Sequence, residues 1–203
     1  MKNIIFGFLL LFATNSLLYS QSDIWLSFGY EYGYYMSFPM ELIGKWHTSV
    51  QSSGFNFNLC NFAHDKKIGY FISTELSFLF GSDQYNNLWA SGGYNGIRLG
   101  IIMGPGFRHD FNERIKLKYG IGLNPKLTLI IPHNFGLFYN LAYFNLGISG
   151  DIGIKYDINN HFYLNMGSIL SYDFIDIMFF WNAIPTGFNT FGIRPYICIG
   201  FNL

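Results

Sequence analysis

Apolar and polar residues alternate one by one along most of this chain, and the run from Ile115 to Tyr156 shows the pattern at its longest. Between Ile115 and Leu129 the odd positions are Ile, Leu, Tyr, Ile, Leu, Pro, Leu and Leu, and the even positions are Lys, Lys, Gly, Gly, Asn, Lys and Thr. A period of two is the mark of a strand with one apolar and one polar face. An ordinary strand has about 5–6 residues, and a strand that crosses a bilayer needs about 9–11. This run exceeds both. After the gap from Pro132 to Asn140 the pattern returns, with Ala142, Phe144, Leu146, Ile148, Ile152, Ile154 and Tyr156 on one face. Tyr143, Asn145, Gly147, Ser149, Asp151, Gly153 and Lys155 form the other. Two such strands make a hairpin with one side suited to hydrocarbon and one to polar company.

The same alternation predicts six more strands. They are Ile24–Tyr34, a second ending near Phe62, Ile68–Phe80, Tyr94 to about Arg108, Phe162–Phe174 and Thr190–Leu203. In the third, Phe71 and Leu79 break the phase. The connections alternate between long and short. The short ones, 63–67, 110–114 and 157–161, are charged or Asn-rich turns. The long ones are Tyr35–Thr48, Gly81–Gly93, Pro132–Asn140 and Ile175–Asn189. The last is unusually apolar and contains Ile177, Met178, Phe179, Phe180 and Trp181. It could extend the flanking strands, lie on a membrane surface or meet a partner, and membrane contact is the expectation. Pro105, Pro125 and Pro195 fall inside strands, where a missing donor predicts local bulges.

Composition narrows the classes. The chain has 203 residues, enough for one domain, and its formal net charge is zero from 12 basic and 12 acidic residues. That balance gives no reason to expect nucleic acid as a partner. It is 50% apolar and only 12% charged, against a usual charged share of about 25%. Residues 1–20 read as a signal peptide, with Lys2 ahead of the apolar run Ile4–Phe12 and small polar residues near Ser20 and Ser22. The exported domain is then 21–203. Cys60 and Cys198 both fall on the polar phase, on strands that a third separates. Backbones two strands apart lie about 9–10 Å from each other, and a disulfide needs Cα atoms within about 7 Å, so two free thiols are expected.

Two closed barrels fit eight long alternating strands. A soluble one buries its apolar face and a membrane one exposes it. The apolar face is nearly unbroken Ile, Leu, Phe and Tyr, too bulky for an eight-stranded interior, while the other face is rich in Gly, Ser and Asn. The membrane barrel is the expectation: all-β, eight-stranded, antiparallel and up-and-down. Trp25, Tyr70, Tyr119, Tyr156 and Phe162 near the turn end, and Tyr34, Phe80, Tyr94, Tyr143, Phe174 and Phe191 near the loop end, suit two aromatic belts. On this pattern, and on the closing segment Ile197-Cys198-Ile199-Gly200-Phe201-Asn202-Leu203, the chain resembles the small eight-stranded outer-membrane barrels of the OmpA/OmpX-type superfamily. The resemblance implies a Gram-negative outer membrane, contact with its lipid and lipopolysaccharide, and recognition of the last strand by the barrel-assembly machinery. Leu203 departs from the aromatic that usually ends that signal.

Candidate chemistry lies on the polar phase, which carries Glu31, Glu75, Arg98, Lys126, Asp151, Asp173 and Arg194. Buried charges need partners. Strand order puts Arg194 between Glu31 and Asp173, and Arg98 beside Glu75. The expectation is a structural, salt-bridged plug and a surface role for the outer loops. A small-solute pore is an alternative. A lipid A-modifying enzyme is a further one, resting on His47 and His133 in outer loops, with Ser37 and Ser49 available. No nucleophile, base and orienter stand at a telling spacing. His64, His109 and His161 lie on three separate turns, a weak basis for a metal site. No catalytic residue, cofactor or metal is expected.

Overall fold

The computed structural model describes residues 22–39, 46–63, 67–85, 93–132, 141–180, 182–185 and 188–203. The expected signal peptide lies outside them. Eight long strands form the wall: β1 (Ser22–Pro39), β2 (Trp46–Ala63), β3 (Ile68–Tyr85), β4 (Gly93–Asp110), β5 (Ile115–Pro132), β6 (Leu141–Asp157), β7 (Phe162–Phe180) and β9 (Phe188–Asn202). A short β8 (Asn182–Pro185) pairs with the upper end of β7. Each long strand pairs antiparallel with its neighbours, and the β1–β9 and β6–β7 pairings close the sheet. No open edge remains along the wall, as hydrocarbon demands.

The register fixes the shape. From Leu26 the paired residues run through Leu59, Ile72, Met103, Leu123, Ile148, Tyr172 and Phe191, and return to β1 at Met36, ten residues above the start. A shear of ten over eight strands gives a tilt of about 40° and a backbone radius of about 8 Å. Each residue then climbs about 2.5 Å along the axis, and each step to the next strand about 3 Å. Heights below are counted from Ser22 at the turn end.

Phase decides what each side chain meets. The apolar phase points outward and stays exposed on every long strand, while the polar phase is buried inside. This overturns the soluble barrel. Outward aromatics gather at two levels. Tyr70, Phe107, Tyr119, Tyr156, Phe162 and Phe201 form the lower girdle, with Phe107 stacked on Tyr119 at 5.4 Å. Tyr34, Phe78, Phe80, Tyr172, Phe174 and Phe191 form the upper one. The levels are about 25 Å apart, the height of a barrel's apolar band. Trp25 does not belong to the lower belt: it points inward and is 4% exposed. Tyr143 shares the inward phase of β6.

Two expectations change. The segment Ile175–Asn189 is not a plain loop, because β7 continues to Phe180 and β8 pairs back onto it, Ile177 opposite Pro185. The three prolines cause no bulge, since the register is the same on both sides of each. All three point to lipid, where each removes ladder pairing without bending the strand. The bulge the wall does carry falls between Leu146 and Gly147, where Phe174 is the extra residue of β7 and turns both Phe174 and Ile175 outward. Phe71 and Leu79, the apolar exceptions on the polar phase of β3, keep that phase, point inward and are buried, because a narrow interior must be filled by side chains.

Pro105 and Pro125 leave the β4–β5 ladder sparse between Gly100 and Gly106, with Met103–Leu123 the pair remaining there. The β5–β6 ladder is unbroken over the same height. Hydrogen exchange in detergent micelles should release amides of 101–104 and 121–124 that face this seam before those facing β6. Equal protection on both sides of β5 would contradict that reading.

Candidate functional site

The interior is the part of this barrel with chemistry in it. Four buried acids, Glu31, Glu75, Asp151 and Asp173, share the interior with six buried bases, Arg98, Arg108, Lys118, Lys126, Lys155 and Arg194. They fall into two tiers. In the upper tier Arg194 Nη1 lies 3.2 Å from Glu31 Oε1 and 2.8 Å from Glu75 Oε2. Glu31 also accepts from Asn56 Nδ2 at 3.0 Å and Ser77 Oγ at 2.8 Å. Lys126 Nζ donates to both oxygens of Asp173 at 2.8 Å. Tyr35 donates to Glu75 Oε1 at 2.8 Å, and the Arg98 guanidinium lies 4.0 Å over its ring. Arg98 Nε donates to Thr128 at 3.1 Å. Val50 and Leu79 pack with Tyr35 at the loop end of this tier.

The lower tier centres on Asp151. Lys118 Nζ is 2.8 Å from its Oδ2, and Tyr196 donates to its Oδ1 at 2.8 Å. Below, Lys155 Nζ lies 4.6 Å from the rings of both Trp25 and Tyr163 and pairs with Asp157. Arg108 pairs with Asp23 at the mouth. Cys60 and Cys198 are buried here as free thiols. Inward glycines give the rings room. A Cβ at Gly192 would strike Tyr35, and one at Gly200 would strike Tyr163.

The expected residues thus share one interior, with changed partners. Arg194 meets Glu31 as expected but takes Glu75 in place of Asp173, which goes to Lys126. Arg98 goes to Tyr35 and Thr128. Sequence reasoning left Lys118, Lys155 and Arg108 out of the network. The period of β5 and β6 already set the first two on the polar face. Tyr35 fell one residue past the expected strand end, yet continuing the period places it inside.

Of the histidines, His109 is exposed against Phe111 at 5.1 Å between ring centres, and His161 is exposed in the β6–β7 turn. His64 and His133 lie outside the described residues, His47 and Ser37 fall on strands rather than in loops, and Ser49 is on β2. Among the described residues no group of three or more His, Cys, Asp or Glu could hold a metal.

No protein-family model matches this chain, and no curated protein matches it either. Solved structures do. The outer membrane protein OprG from Pseudomonas aeruginosa aligns over 90% of this chain and 96% of its own, with a TM-score of 0.65 and 13% identity. Ail, the attachment invasion locus protein of Yersinia pestis, aligns over 90% and 99%, with a TM-score of 0.52 and 13% identity. Neisserial surface protein A aligns over 91% and 100%, with a TM-score of 0.50 and 8% identity. The chain shares the fold of these small eight-stranded outer-membrane β-barrels. Its fold is that of the OmpA/OmpX type. At these identities the likeness carries the fold, and the exposed apolar exterior of the barrel carries its place in a bilayer.

Proposed function

We propose that this outer-membrane barrel is a non-catalytic surface protein with a closed lumen, whose outer end meets partners while the wall serves as an anchor. One observation carries the reading: Arg194 bridges Glu31 and Glu75 across the barrel, while Lys126–Asp173 and Lys118–Asp151 pair above and below it. A conduction path would have to part these buried pairs, and parting a buried pair is costly. The network is read here as structural. Lipid and lipopolysaccharide surround the wall, and the last strand, β9, is the segment offered to the assembly machinery.

Ail gives the surface reading a precedent, since its structure is known in complex with the heparin analogue sucrose octasulfate. The chemistry differs here. In the sequence between β1 and β2, β3 and β4, β5 and β6, β7 and β8, and β8 and β9, Lys45 is the sole Lys or Arg. A polyanion is therefore not the expected partner, and an uncharged, aromatic-binding one is.

Planar-bilayer recording tests the closed lumen. The folded protein should show no regular unitary current in molar salt. Uniform current steps from wild type would overturn the plug and favour a small-solute pore.

A further inference from the structure

The outward wall differs from one side of the barrel to the other. On β6 and β7 apolar side chains reach from Phe162 to Phe179, about 4 to 44 Å in height. On β2, almost diametrically opposite, the outward apolar run is Leu59, Phe57 and Phe55, about 13 to 23 Å. Above Phe55 come Ser53 and the exposed Gln51, beside Tyr30, Tyr32 and Tyr34 on β1. The Tyr30 hydroxyl, on a side chain 48% exposed, shares a 2.7 Å hydrogen bond with Ser53. On β3, Thr74, lower on the wall and paired with Phe57, turns its hydroxyl back to the Phe57 carbonyl at 3.5 Å. On the opposite wall Ser168 also has the outward phase, but its Oγ is covered.

A polar side chain held against hydrocarbon is costly, whereas a leaflet adapts its thickness to a short apolar span at little cost per ångström. The strip is uncharged and tyrosine-rich, the composition found at headgroup level, and it continues directly from the lipid-facing belt. We infer that the outer leaflet is thinned along β1 and β2. Headgroups and water descend to Ser53 there, and the leaflet keeps its full depth against β6 and β7. The occupant of the strip is lipid headgroup.

Spin labels test this in vesicles of a single phosphatidylcholine. Ser53→Cys and Ile148→Cys sit at nearly equal heights, about 28 and 26 Å, and Gln51→Cys matches Leu127→Cys at about 33 and 32 Å. The native thiols are buried, so labelling the folded protein addresses the new site alone. Folding of each variant is checked by its unboiled migration on a gel. Labels at 53 and 51 should be several-fold more accessible to an aqueous nickel complex than those at 148 and 127, which should favour oxygen. Equal accessibility within the pairs would overturn the inference. Protection of 53 and 51 from both reagents would overturn it too, by placing a protein on the strip. The second pair decides the matter if Ser53→Cys does not fold.

Discussion

Arg194→Ala should destabilise the folded barrel by about 3–5 kcal/mol, the usual consequence of removing one partner from a buried ionic cluster. Arg194 is 1% exposed and is the cation within bonding distance of both Glu31 and Glu75. Without it two carboxylates remain inside the wall. Glu75 keeps the Tyr35 hydroxyl, and Glu31 keeps Asn56 and Ser77. These neutral donors cannot cancel two charges. Urea titration in detergent micelles gives the measurement. The triple variant Arg194→Met, Glu31→Gln, Glu75→Gln should recover much of the loss, because it removes charge along with countercharge. A single variant as stable as wild type would show that the tier does not act as a unit.

Arginine on the outer face is the second large effect. Ile121 and Ile148 are 54% and 45% exposed and point away from the lumen. They stand about 17 and 26 Å above Ser22, either side of the middle of the apolar band. Ile121→Arg or Ile148→Arg should each cost about 2–4 kcal/mol in a bilayer. In a soluble barrel the same exposed positions would accept arginine with little change. Unfolding in lipid vesicles separates the two outcomes.

Most of the wall was legible in the sequence because period two survives tilt and closure. Phase alone set Glu31, Glu75, Lys126, Asp151 and Arg194 inside. Partner choice was not legible, because it depends on shear. Strand order makes Arg194 a neighbour of Asp173, but the ten-residue stagger lifts Asp173 about 7 Å above it, to the level of Lys126. The same stagger sets Arg194 level with Glu31 and Glu75, and the narrow lumen lets it reach across β1 and β2 to β3. Proline misled for another reason. A lipid-facing proline deletes ladder pairing but, in a closed wall, its neighbours hold the register, so the expected bulges at Pro105, Pro125 and Pro195 did not form. The bulge at Phe174 has no proline or glycine beside it in its own strand; Gly147 lies across from it on β6. Ile175–Phe180 looked too apolar for a solvated loop, and it proved to be strand whose outward apolar side chains prolong the belt.

The central claim is a closed β-wall with its apolar face in lipid, and gel mobility after folding into micelles tests it most directly. A closed barrel keeps every wall hydrogen bond within itself and resists dodecyl sulfate until heated. Unboiled protein should therefore migrate apart from boiled protein, and the two bands should merge as the temperature of the preheating step rises. Identical migration of a sample whose circular dichroism shows it to be folded sheet would contradict the closed barrel.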